Sequence, residues 1–219
     1  MGIRQTQMWM IVVGIVMLYA ANGYVQEIQK LGDFSSGSLE KWKSKSFEGK
    51  TVYDLTVLEG VTMLRAVSNG TASGMTLEKN IDLTKTPYLN WSWRVDHILS
   101  SREETQKAGD DYPARIYVVV SGGFAFWRTK ALNYVWASYM PANTTWPNAF
   151  TSNAQMLALR SGSVDVGKIV VEKRNVREDL KKYMDLDADQ IDVVAIMTDT
   201  DNGGGNAVAY YGDIYFSAQ

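Results

Sequence analysis

The sequence has 219 residues, and its 22 basic and 24 acidic side chains leave a net charge of −2. This balance argues against nucleic-acid binding, which requires a basic surface. Cysteine is absent from the sequence, which excludes disulfide bonds, zinc–thiolate sites and cysteine nucleophiles. Stability must therefore come from a buried core, for which a hydrophobic fraction of 46%, with 7 Trp and 12 Tyr, is sufficient.

The N-terminal segment, residues 1–23, has the layout of a secretory signal peptide. Arg4 provides a positive charge, residues 8–21 form an uncharged apolar run, and small residues end the segment. The run is short for a membrane-spanning helix, which needs about 20 apolar residues. We therefore expect cleavage at the end of this segment, a single mature domain at 24–219, and a periplasmic or secreted protein without a membrane span. An uncleaved anchor is the alternative.

Beyond this segment, apolar and polar residues alternate with period two, in runs that Gly, Asn and Asp interrupt. Ten strands are predicted from this pattern, at residues 51–58, 61–67, 74–81, 88–96, 114–121, 131–139, 154–160, 167–173, 190–198 and 207–217. Short connections between most of them are typical of an antiparallel sandwich. The predicted fold is all-β: a single antiparallel β-sandwich of jelly-roll type with one short helix.

Two of these strands indicate where the core lies. In the strand at 88–96, Trp91, Trp93 and Val95 share one face, so this face is expected to be buried. In the strand at 190–198 both faces are apolar, which predicts a central strand that is covered on both sides.

The single helix is predicted within the segment RNVREDLKKYM. Asn175 is suited to cap its N-terminus, and Glu178 stands three residues later, at the spacing of a capping box. Acidic residues come early in this segment and lysines late, which complements the helix dipole.

Six motifs occur in a recognisable order: DYPARIYVVV, ALNYVWAS, WPNAF, EKRNVREDLKKY, VAIMTDTDN and AYYGDIYF. This run is similar to a family of exported bacterial proteins that is classed only as a domain of unknown function. The similarity covers roughly residues 33–216. Because that family has no assigned activity, the resemblance implies no catalytic residues.

A second resemblance is at the level of the fold. The opening GDFSSGSLEKW and the ending YYGDIYF look like those of galactose-binding-like jelly rolls, the fold of many carbohydrate-binding modules. Acidic residues near both ends of that fold often hold a structural calcium, so the resemblance implies this role for Asp33 and Asp213. No other cofactor is expected, and a shared fold does not by itself carry function.

The segment TDTDNGGGN invites three interpretations. Asp199, Asp201 and Asn202 offer oxygen ligands of the kind that calcium prefers. The EF-hand pattern is incomplete, however, and glycine-rich turns commonly join core strands, so a hairpin turn is favoured. The third interpretation makes Asp199 a ligand-facing or salt-bridged carboxylate at the end of a buried strand.

Aromatic residues concentrate between residues 124 and 150. Sugars present flat apolar faces that stack on exposed rings, whereas buried rings build the core. Trp146, in a loop beside Asn148, is the best candidate for an exposed ring, and Trp136 is a second candidate. The charged loop at 98–112 is expected to be mobile.

Charged and polar residues stand at the ends of three predicted strands: Asp111 with Arg115, Arg174 with Asn175, and Asp199 with Asp201. If these ends converge, they form a charged cleft in which paired carboxylates could act on glycosidic bonds. Ion pairs that only fix loops are the alternative, and we favour that interpretation.

The sequence thus predicts a non-catalytic domain of the bacterial envelope that binds a glycan or another polar ligand. One alternative is a polysaccharide-acting enzyme that uses acidic residues such as Asp111 and Asp199; another is an interaction protein of an envelope assembly. A glycan or an envelope protein is the expected partner. The candidate ligand-binding residues are Asp111, Arg115, Trp136, Trp146, Asn148, Arg174, Asn175, Asp199 and Asp201.

Overall fold

A computed structural model of the protein describes residues 27–100 and 103–219, so the predicted signal peptide lies outside the described residues. The described chain forms 14 strands and one α-helix. The elements are β1 (Ile28–Gly32), β2 (Lys43–Glu48), β3 (Val52–Leu58), β4 (Val61–Asn69), β5 (Ala72–Asp82), β6 (Tyr88–Val95), β7 (Ala114–Val120), β8 (Lys130–Ala137), β9 (Thr145–Pro147), β10 (Ala154–Ser161), β11 (Val170–Asn175), α1 (Val176–Met184), β12 (Gln190–Asp199), β13 (Asn206–Tyr211) and β14 (Ile214–Ser217). In this part of the chain no helix is long and apolar enough to cross a membrane.

The strands form two sheets of seven strands each. In sheet A, β11 lies on one side of β6, while β14 and β13 pair with successive parts of its other side. β1 extends this sheet beyond β14, and β4 and β3 extend it beyond β13. Sheet B has the order β2-β5-β12-β7-β8-β10-β9. The predicted antiparallel β-sandwich is confirmed, with the departure that β8 and β10 are parallel.

All ten predicted strands are present, but the one predicted at 207–217 is two strands, β13 and β14. The chain turns between them at Gly212, whose N–H donates to the Ser92 carbonyl at 2.9 Å. A Cβ at this position would overlap the Ser92 hydroxyl, so a larger residue here would force the Ser92 side chain to move. Three short strands, β1, β2 and β9, were not predicted.

The core lies between the two sheets and is built on large rings. Trp91 and Trp93 of β6 pack edge to face, with centroids 5.5 Å apart. Tyr134 and Trp136 of β8 meet them from sheet B at 5.6 and 6.0 Å. The prediction of a buried face on β6 is therefore confirmed.

β12 is central, as predicted, because it lies between β5 and β7. Its outer face is only partly covered: Val193 and Ala195 are half-buried, whereas Val194 and Ile196 on the inner face are fully buried. The prediction that both faces are covered is therefore wrong for this stretch, and an open strip of sheet B remains.

The helix is where the capping pattern predicts it. The Asn175 side chain accepts a hydrogen bond from the Glu178 N–H at 3.2 Å, and Val176 and Leu180 are buried in the core. Asp185 ends the helix in the left-handed conformation, with φ of 51°. The helix connects β11 of sheet A to β12 of sheet B.

A second, smaller hydrophobic cluster covers part of the outer face of sheet B. It consists of Tyr112, Val135, Ala137, Trp146, Met156 and Ala158. The loops that precede β7 and follow β8 supply its cover, with the rings of Tyr112 and Trp146 6.4 Å apart. These loops position the residues described next.

Candidate functional site

Four of the predicted site residues converge at one end of sheet B. Asp199 ends β12, and Arg115 lies near the start of the antiparallel neighbour β7, opposite Met197. Asp111 precedes β7, and Asp201 follows β12. Together with Asp110 these residues form the charged cluster: Asp110, Asp111, Arg115, Asp199 and Asp201.

Arg115 is the centre of the charged cluster. Its Nη2 pairs with the Asp199 carboxylate, its Nη1 lies 3.8 Å from Asp110, and its side chain is only 4% exposed. Its guanidinium also stands 5.1 and 5.6 Å from the ring centroids of Tyr112 and Tyr117. Its Nε finds no hydrogen-bond partner among the described residues. The cluster therefore has a fixed geometry that retains one unused buried donor.

Asp111 holds the turn that follows β12. Its carboxylate accepts hydrogen bonds from the backbone N–H groups of Asn202 at 3.1 Å and Gly203 at 2.5 Å. The favoured interpretation of this segment as a hairpin turn is wrong, because β12 belongs to sheet B and β13 to sheet A. The turn instead carries the chain from one sheet to the other, and Asp111 fixes it.

Asp201 is the least satisfied member of the cluster. One of its carboxylate oxygens is buried and has no hydrogen-bond partner among the described residues. Burial raises the pKa of Asp201, and the nearby Asp111 raises it further. Asp111, Asp199 and Asp201 each offer an oxygen within 4.8 Å of the others, a spacing that could hold a cation. Arg115 already supplies a positive charge there.

Glu104 is a buried carboxylate that sequence reasoning missed. It accepts hydrogen bonds from the backbone N–H groups of Ser138, Tyr139 and Met140 at 2.5, 3.0 and 2.7 Å. Burial raises its pKa. Glu104 therefore anchors the described part of the loop at 98–112, and the mobility of the loop stays a prediction. The charged sequence around Glu104 gives no sign of this contact. The Glu104 oxygens accept from backbone N–H groups, which carry no sequence signature.

The two candidate tryptophans are both buried. Trp136 lies in the core and donates to the Gly162 carbonyl at 3.2 Å. Trp146 is 5% exposed, so the expectation of an exposed ring there is wrong. Asn148, by contrast, contacts the charged cluster from outside, because its Nδ2 donates to Asp110 at 3.0 Å.

Arg174 and Asn175 do not reach the charged cluster. They end β11 on sheet A, where Arg174 pairs with Asp179, which also accepts from the Tyr134 hydroxyl at 2.8 Å. Asn175 serves as the helix cap. The predicted convergence therefore holds for two strand ends and fails for the third.

Asp33 and Asp213 both have protein partners. Asp33 pairs with Lys30 at 3.1 Å, and Asp213 accepts from the N–H of Ser35 at 2.8 Å and from its hydroxyl at 2.5 Å. In the described chain, the set of carboxylates close enough to share a cation does not include Asp33 or Asp213. A structural calcium at these two residues stays a prediction.

An open groove of about 260 Å³ lies on the outer face of sheet B, beside the charged cluster. Its floor is formed by Gly74, Tyr117, Val119, Val193, Ala195 and Met197, and its far wall by Lys45, Phe47 and Thr76. Tyr117 links the two features, because its hydroxyl contacts Met197 at 3.4 Å while Arg115 stands over its ring. We call this feature the sheet B groove.

The aromatic wall of the sheet B groove was not predicted. Phe47 is 63% exposed, and the ammonium of Lys45 lies 5.4 Å from its ring centroid. The floor stays low opposite Phe47 because Gly74 has no side chain; a Cβ there would stand 2.7 Å from the Ile196 carbonyl. A second cavity, of about 300 Å³, lies on sheet A and includes Asn90, Asp213 and Tyr215.

Comparisons with known proteins identify a family and a fold. A family model described as a protein of unknown function, DUF3047, matches residues 40–215. No curated protein sequence matches the chain. The chain is similar in structure to the family 30 carbohydrate-binding module of a Clostridium thermocellum cellulosomal cellulase, with 9% identity, a TM-score of 0.53, and coverage of 88% of this chain and 98% of that one.

Two further solved structures are similar at lower TM-scores. One is the family 11 carbohydrate-binding module of Clostridium thermocellum in complex with a mixed-linked tetrasaccharide, at 12% identity and a TM-score of 0.45, covering 86% of this chain and 94% of that one. The other is a cellulase derived from that of Rhodothermus marinus, at 9% identity and a TM-score of 0.48, covering 86% and 100%. The fold is that of β-sandwich carbohydrate-binding modules.

Proposed function

The chain belongs to DUF3047, a family of proteins of unknown function, and we propose that it is a non-catalytic glycan-binding domain of the bacterial envelope. The observation that carries this proposal is the sheet B groove, an open strip of sheet with an aromatic ring in its floor and another in its wall. The likeness to a carbohydrate-binding module supports glycan binding in general, through the fold.

The chemistry of the groove suits a sugar. Pyranose rings have apolar C–H faces, which stack on rings such as Phe47 and Tyr117. Their hydroxyls need a small number of polar partners, and Lys45 and Thr76 supply donors and an acceptor on the far wall. The half-buried Val193 and Ala195 give the floor the apolar character that such sites share.

The arrangement of the carboxylates supports a non-catalytic role. Glycosidases place two carboxyl groups on either side of the bond that they break. Here Asp111 and Asp199 are 2% and 1% exposed, and both are engaged with protein partners. Neither is free to protonate a leaving group in the sheet B groove. The envelope location in the proposal rests on the signal-like sequence of residues 1–23.

A glycan array probed with the protein tests the proposal, followed by titration of a glycan that it retains. Phe47→Ala is expected to weaken binding about tenfold, because a stacked ring is removed from an exposed position. Tyr215→Ala, in the cavity on sheet A, is the matched control and should bind as the wild type does.

Two results would overturn the proposal. One is an array on which no glycan is retained, which would favour an interaction protein that recognises an envelope partner. The other is normal binding by Phe47→Ala combined with loss of binding by Tyr215→Ala, which would move the site to sheet A.

A further inference from the structure

The loop between β7 and β8 presents three large rings to solvent. Its sequence is SGGFAFWRT, at residues 121–129. Phe124 is fully exposed, and Phe126 and Trp127 are 75% and 64% exposed. Exposed apolar groups that occur together, unlike single ones, mark surfaces at which a protein meets a partner or a membrane. The proposed glycan site does not account for these rings.

The geometry of the rings differs from that of a sugar platform. Phe126 and Trp127 pack edge to face, with centroids 5.3 Å apart and planes at 78°. Their faces therefore do not form one flat surface. The tip from residue 122 to residue 127, GGFAFW, also carries no side chain that could hold a sugar hydroxyl, apart from the indole N–H. The rings instead form an apolar knob, consisting of Phe124, Phe126 and Trp127.

The apolar knob is held in place by its own backbone. The N–H groups of Arg128 and Thr129 donate to the carbonyls of Ala125 and Phe126 at 2.8 and 3.0 Å. Asn153, from the loop before β10, donates to the Trp127 carbonyl at 2.8 Å. Because these hydrogen bonds hold the loop backbone, they lower the entropy cost of presenting the rings.

Two basic side chains and one carboxylate lie at the base of the apolar knob. Arg128 is exposed within the loop, and Lys130 follows it, bonded to Asn153 at 2.8 Å. Asp192 of β12 accepts a hydrogen bond from the Ser121 N–H at 2.7 Å, so the base carries a net positive charge. An apolar tip with a basic base is complementary to a lipid interface whose headgroups are anionic, since the rings enter the acyl boundary while the cations meet phosphate.

We infer that the apolar knob docks the protein onto an anionic lipid surface, with Phe124, Phe126 and Trp127 inserted into the interface. The knob follows the C-terminal end of β7, whereas the charged cluster lies at the start of that strand. The inference does not depend on glycan binding.

Trp127 provides the readout, because it alone is exposed among the tryptophans that the structure describes. The full chain is added to vesicles of phosphatidylglycerol and phosphatidylethanolamine, or of phosphatidylcholine alone. The emission of Trp127 is taken as the difference between the wild type and Trp127→Phe. On the anionic vesicles we expect this emission to shift to the blue, to lose its quenching by iodide, and to be quenched by brominated acyl chains.

The apolar N-terminal run is present in every variant and adds the same vesicle binding to each, so the local environment of Trp127 is the readout that reports on the knob itself. Phe124→Ser combined with Phe126→Ser is expected to lower the affinity for anionic vesicles at least about tenfold, since two large rings no longer insert. Arg128→Glu should weaken binding to anionic vesicles only. Val171→Ser, which changes an equally exposed apolar residue on sheet A, is the control and should have no effect.

Three results would overturn the inference. The first is a Trp127 that stays open to iodide while the protein is bound to vesicles. The second is insertion into phosphatidylcholine vesicles that is as strong as insertion into anionic vesicles and is unaffected by Arg128→Glu. This result would show that the knob does not select an anionic surface. The third is a smaller oligomer for the Phe124→Ser, Phe126→Ser variant than for the wild type in the absence of vesicles. This result would make the apolar knob a contact between copies of this chain.

Discussion

Arg115 and Asp199 form an ion pair on the outer face of sheet B, yet their side chains are only 4% and 1% exposed. The loop that carries Asp110 and Tyr112 covers them, so the pair is buried by the loop and not by the core. Removing Asp199 alone leaves the buried Arg115 guanidinium without its main partner, which is costly in a site that excludes water.

We therefore expect Asp199→Ala to lower the free energy of unfolding by about 3 kcal/mol, measured by urea denaturation. Asp110, at 3.8 Å from Arg115, limits the loss by partly replacing the missing charge. The double variant Arg115→Met with Asp199→Leu removes the unpaired guanidinium but leaves the buried Asp110 without its cation, so it should recover only part of this loss. A single variant within about 0.5 kcal/mol of the wild type would show that the pair is not buried in solution.

A second prediction concerns Asp201, whose carboxylate is desolvated and close to Asp111. Without divalent cations, Asp201→Asn should raise the melting temperature, because it removes a poorly solvated negative charge beside another one. Calcium provides the complementary measurement, since a cation that binds only the folded protein stabilises it. If calcium raises the melting temperature of the wild type and not of Asp201→Asn, the three carboxylates hold the ion; if it raises neither, they do not.

The third prediction is a pH dependence that arises from Glu104. Burial raises its pKa in the folded protein, so the folded state holds this proton to higher pH than the unfolded state does. Its contribution to stability is therefore complete below the pKa of the unfolded state and is lost as pH rises through the folded pKa. The stability of the wild type relative to Glu104→Gln should fall as pH rises above about 4.3, the pKa of an unperturbed glutamate, in urea unfolding at a series of pH values. A relative stability that increases with pH would mean that the three N–H donors outweigh burial.

The fourth prediction separates structural from binding residues in the candidate set. Asn175 caps α1, and Ala at this position should cost about 1 kcal/mol in the free energy of unfolding. The helix is not part of the sheet B groove, so the affinity for any glycan found on the array should not change. Asn175→Asp, which keeps a capping oxygen, should restore most of the stability. Loss of glycan affinity in Asn175→Ala would place a binding site beside the helix.

The parts of the fold that local sequence determines were predictable. The alternation around Trp91 and Trp93 located β6 and its buried face, and Asn175 with Glu178 located α1. The prediction missed β2, whose sequence KSKSFE is exposed at every position and therefore has no apolar period. It also missed the parallel pairing of β8 with β10, because pairing order depends on contacts between distant segments that local periodicity does not encode.

The site was predictable only where charged residues stand at the ends of an apolar strand. Asp199, Asp201, Asp111 and Arg115 were found in this way, and they do converge. The prediction of an exposed ring at Trp146 was wrong, because an aromatic residue in a long loop has the same local sequence whether the loop packs down or stays open. No sequence pattern distinguishes Phe47 and Tyr117. They belong to the proposed glycan site only because the open strip of sheet B lies between them.

The pairing of β1 with β14 joins the first described strand to the last one. β14 is also one of the strands that pair with β6, so sheet A needs the C-terminal strand for two of its contacts. A ribosome that has made the chain only as far as β13 has produced most of the core, but β1 still lacks its partner. Completion of sheet A must therefore wait until synthesis reaches Ser217, and a nascent chain that stalls earlier would present an unpaired strand edge to chaperones.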